Sequence, residues 1–68
     1  MNWETEYNYL QSITRAILMG QSEYKIEGVT VALPTPQRAG TLTQQQTYAR
    51  LQAMAIVKIF SDKSDKSE

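Results

Sequence analysis

The chain has no cysteine and no histidine. The first absence excludes disulfides, and the two together remove the ligands of ordinary zinc and iron sites. Catalysis would therefore fall to Glu, Asp, Lys, Ser, Thr or Tyr. The acids, Glu4, Glu6, Glu23, Glu27, Asp62, Asp65 and Glu68, are scattered. No loop has the alternating Asp/Asn spacing that calcium requires. Glu4 and Glu6 lie two apart on a helix and diverge, and Glu23 and Glu27 flank different ends of a strand. Gly20, Gly28 and Gly40 each stand at an element boundary, so no Gly-rich phosphate loop exists. Neither an enzyme nor a cofactor or metal is expected. An excess of basic charge is also missing, with seven basic and seven acidic residues. Arg15, Lys25, Arg38, Arg50 and Lys58 are spread over every element, so strong nucleic-acid binding is not expected. No apolar run approaches ~20 residues, the length needed to span a membrane. Met1-Asn2-Trp3-Glu4 is acidic and polar, which is not the start of a signal peptide.

What is present is a short chain of 68 residues with regular apolar patterning. One domain of this size buries only ~60% of its unfolded surface. Small domains are usually held by disulfides, metal or oligomerisation, and only the last remains here. Residues 3 to 19 have helical periodicity, with Asn2 as N-cap, Glu4 and Glu6 in the first turn and Gly20 as a left-handed C-cap. Trp3, Tyr7, Leu10, Ile13, Ile17 and Leu18 share one face, with Tyr9 and Ala16 at its edge.

Residues 22 to 33 form a β-hairpin. A two-residue Glu27-Gly28 turn pairs Ile26 with Val29 and Tyr24 with Val31, all four on one buried face, and turns Lys25 and Thr30 outward. Glu is a poor first residue for a type I′ turn, so a three-residue turn with a glycine bulge competes. Pro34 and Pro36 stiffen the following loop. Thr41 with Gln44, or Thr43 with Gln46, offers a capping box for a second helix that extends to about Ser61. The Ser-Asp-Lys repeat of residues 62–68 carries no apolar side chain and is expected to be disordered. The reading is an α+β domain over 1–61 with a polar tail at 62–68. Two antiparallel helices carry a two-stranded antiparallel hairpin between them in sequence, in the order α-β-β-α.

The second helix is apolar on too many sides. On a wheel its apolar arc covers roughly two thirds of the circumference, where one core needs a stripe a little over ~100° wide. If the first helix and hairpin cover Leu51, Ala55 and Ile59, then Ala49, Ala53, Ile56 and Phe60 are left at the surface, with Val57 at the edge. This second face, with Gln52 inside it, is the expected interaction site. Gln52 is either a polar group that sets register at a subunit interface or an exposed residue between two contact faces. The aromatics Trp3, Tyr7, Tyr9, Tyr24, Tyr48 and Phe60 are first assigned to the core. Trp3 and Phe60 are alternative anchors for a partner. The expected partner is a protein, most simply a second copy of the chain.

The layout also resembles a family. Ile17-Leu18-Met19-Gly20 closing helix one, Tyr24-Lys25-Ile26-Glu27-Gly28-Val29-Thr30-Val31 as the hairpin, and an amphipathic second helix are similar to the small W-type head-to-tail joining proteins of tailed bacteriophages. The pattern spans residues 3 to 60 and differs in the Pro-containing loop and the charged tail. The resemblance implies a non-enzymatic virion assembly protein that works as a homo-oligomeric ring, in the host cytoplasm or the virion. The alternative is a small phage-type inhibitor that binds a host protein or a small signal molecule. Stoichiometry separates the two.

Overall fold

Asn2 opens the first helix, α1 (Trp3–Leu18), and its side chain accepts the Thr5 N–H at 2.8 Å. The computed structural model describes residues 2–66, except for the side chains of 63–66. Glu4 and Glu6 lie in the first turn of α1 and Arg15 in the last, each of the sign that the helix dipole favours. The C-terminus closes with two bonds that overlap. Gln21 N–H donates to Ala16 C=O and Gly20 N–H donates to Ile17 C=O, both at 3.0 Å. This is a Schellman motif, and it needs the left-handed backbone that Gly20 supplies at φ +83°.

Strands β1 (Glu23–Ile26) and β2 (Val29–Ala32) pair antiparallel, with Ile26 opposite Val29 and Tyr24 opposite Val31. The turn is the two-residue form. Glu27 and Gly28 both have positive φ, +49° and +83°, which makes it type I′. Lys25 and Thr30 are exposed as expected. Val29 is a correction, because it is 51% exposed while Ile26 is buried. β1 is the strand beside α1, and β2 is the outer strand. A neighbouring strand stands about 4.8 Å farther away. Val29, next to the turn on that outer strand, is left half uncovered.

The second helix, α2 (Leu42–Lys66), starts on the Thr41 capping box. Gln44 N–H donates to Thr41 Oγ1 at 3.1 Å, and Thr41 N–H donates to Gln44 Oε1 at 2.9 Å. Gln45 Nε2 reaches back to the carbonyls of Arg38 and Gly40, at 3.1 and 3.2 Å. The glutamine run therefore ties the loop to the helix. Gly40 has φ +88°, and a Cβ there would collide with the Gln44 side chain that makes the cap. The C-terminal boundary is a second correction. α2 continues to Lys66, so residues 62–66 are helix rather than tail, while 67–68 lie outside the described residues. The segment after Ser61 has no apolar residue but also no Gly or Pro, and loss of burial alone does not break the ladder of backbone bonds.

The fold is α-β-β-α, with two antiparallel helices and one hairpin. Its core is Ile13 and Ile17 from α1, Ile26 from β1, and Ala49, Ala53 and Val57 from α2. Large residues on α1 meet small residues on α2. The two alanines let the helices approach closely, and the isoleucines fill the space over them. Tyr9, Leu10, Leu18, Tyr24, Val31, Leu33, Ile56 and Phe60 pack around this centre and are half-buried.

Candidate interaction surface

The face of α2 turned toward α1 is set by Ala49, Ala53 and Val57, spaced four apart. Two positions on from each lie Leu51, Ala55 and Ile59. A step of two residues turns a helix by about 200°, so this second series lies almost opposite the first. All three are exposed, Leu51 by 58% and Ile59 by 56%. Tyr48, half-buried, extends the series by one turn toward the N-terminus. α2 thus has apolar residues on two opposite sides, one buried and one exposed.

This placement inverts the face expected from sequence. Ala49 and Ala53 lie inside the chain's own core, where no partner reaches them in the folded state. Gln52 is half-buried, and Ile56 and Phe60 are half-buried against the core. The predicted set therefore shares one side of α2, but it is the inner side. The physical reason is side-chain size. Wheel position cannot distinguish two opposite apolar stripes, whereas the small residues at 49 and 53 mark the stripe that a neighbouring helix approaches. Leu51, Ala55 and Ile59 are the residues that wheel reasoning missed. The signal for them was the spacing of the alanines.

Trp3 is a further correction. It was assigned first to the core and is 77% exposed. The stripe of α1 that is buried is centred on Ile13, Ala16 and Ile17, and Trp3 and Tyr7 lie at its margin. They face Met54 and Lys58 across an open groove of 420 Å³ between the start of α1 and the end of α2. Met54 and Tyr7 are themselves exposed.

Among the described residues no group of three or more His, Cys, Asp or Glu side chains is placed to hold a metal ion. None of their helices is long and apolar enough to cross a membrane. Compared with family models, with curated proteins and with solved structures, the chain finds no match.

Proposed function

We propose that this protein is a non-enzymatic assembly module whose copies associate through the outer face of α2. The observation that carries the reading is the exposed stripe of Leu51, Ala55 and Ile59, with Tyr48 at its end. The stripe is self-complementary. Two α2 helices packed antiparallel about Ala55 set Leu51 of each copy against Ile59 of the other, with the small Ala55 side chains at the crossing. Such a two-fold contact uses the same patch on both partners. It brings Lys58 near Gln52 rather than near a like charge. It also opposes the helix dipoles.

The overall surface supports the same reading. The molecule measures 42 × 20 × 15 Å and exposes 4890 Å². A compact monomer of its 7.7 kDa mass would expose about 4300 Å². Association would cover part of that surplus. Together with the α-β-β-α order, this is the character expected of a small joining protein, and the phage connector role is the particular form of assembly we propose. Its place would be the host cytoplasm or an assembled particle.

Sedimentation velocity across micromolar to millimolar concentration tests the proposal. The expected result is a mass that rises in multiples of the monomer as concentration rises. A wild-type protein that stays monomeric at millimolar concentration would overturn it and favour the inhibitor reading, in which the same stripe binds a different protein.

A further inference from the structure

The described arginines collect at one end of the molecule. Arg15 and Arg50 line an open groove of 440 Å³ between the end of α1 and the start of α2. The Arg38 guanidinium lies beside Gly20, at the same end of α1. Leu10 and Leu18 provide the apolar part of the groove, and Gln11, Gln46, Thr43 and Thr47 add amide and hydroxyl donors. No acid lines it, and the first turn of α2 contains none. Among the described residues neither Arg15 nor Arg50 has an ion-pair partner. The acids of the helices lie at the opposite end, Glu4 and Glu6 at the start of α1 and Asp62 toward the end of α2.

We propose that this groove binds a phosphorylated small molecule of nucleotide size. A guanidinium presents a planar fork of donors that matches phosphate oxygens, and the groove carries one on each of its two helices. The Thr and Gln donors satisfy further oxygens. The exposed parts of Leu10 and Leu18 give a flat ring something apolar to lie on. The volume falls within the range of small-molecule sites, about 300–1,000 Å³.

The test is a titration of the ¹⁵N-labelled chain, followed by amide shifts, with AMP, inorganic phosphate and adenosine. AMP and phosphate should move the amides of Gln11, Thr43 and Thr47 saturably, with AMP the tighter of the two, and adenosine should not saturate. Arg15→Gln and Arg50→Gln should each weaken AMP binding by about tenfold, the loss of a charge-assisted contact, with an unchanged far-ultraviolet spectrum. Equal shifts around Lys25 and Lys58 would show nonspecific charge attraction and overturn the site, as would a double variant that binds like the wild type. Single-stranded oligothymidylate is the remaining arm. Affinity that rises with its length would show that the groove reads a nucleic-acid backbone, and the small-ligand assignment would fall.

Discussion

Ile59→Lys is the substitution that isolates the outer face of α2. Ile59 is 56% exposed, so association has a little over half of the side chain left to cover. Full burial of an isoleucine contributes about 1.5–3 kcal/mol, and half of it about 0.8–1.5 kcal/mol. A two-fold contact contains the residue twice. The variant therefore removes about 1.5–3 kcal/mol, which corresponds to a dissociation constant about 10–150-fold weaker. It also places two ammonium groups in an apolar contact, so this is a lower figure. Adding Leu51→Lys, at a site exposed to the same degree, doubles the loss and should leave only monomer at millimolar concentration. Sedimentation velocity gives the dissociation constants. Far-ultraviolet circular dichroism and a thermal melt, recorded where both proteins are monomeric, show whether the fold is retained. An exposed helix position should change monomer stability by no more than about 0.5 kcal/mol. Unchanged association, or an Ile59→Lys chain that unfolds, would refute the assignment of this face.

Three further substitutions probe the fold that positions the surface. Glu27→Asn relieves a left-handed residue at φ +49° by installing the Asn-Gly pair that type I′ turns favour. We expect a gain of about 1 kcal/mol and a melting temperature about 4–8 °C higher, and no gain would contradict the turn geometry. Ala53→Leu adds volume at a fully buried core position of α2 and should cost about 1–3 kcal/mol in chemical denaturation. A neutral result there would mean that α1 and α2 are not in close contact. Gly40→Ala forces a Cβ into the Gln44 side chain and strains the backbone, so it should destabilise by about 1–2 kcal/mol. An unchanged melt would show that the Thr41–Gln44 cap does not form.

Local signals in the sequence were sufficient for the elements and their order. Asn2, Gly20, the Glu27-Gly28 turn and the Thr41–Gln44 box each act over four or five residues, and the structure uses each in the expected role. Assignment of faces depends on long-range packing, and there the sequence was ambiguous. On α2 the two stripes are both apolar, so periodicity alone leaves two solutions related by about half a turn. The size match of Ile13 and Ile17 with Ala49 and Ala53 selects one of them. Trp3 was misplaced for a related reason. Hydrophobicity ranks it as core, but its position at the margin of the buried stripe leaves it without cover. α2 runs on to Lys66, past the last apolar side chain, because absence of apolar side chains is not absence of helix.

The pairing of isoleucines with alanines has a consequence for how the chain folds. Ile13 and Ile17 appear early in synthesis, but the surface that buries them is on the last helix. α1 and the hairpin alone leave these side chains and Ile26 in water, and a lone two-stranded hairpin has little stability of its own. The contacts that make the core span most of the chain, and closing that loop must precede any gain from them. Folding therefore waits for α2 through Val57 to leave the ribosome. Until then the nascent chain presents its isoleucines to whatever is nearby. When α2 does arrive it covers the isoleucines with one side and leaves Leu51 and Ile59 uncovered on the other.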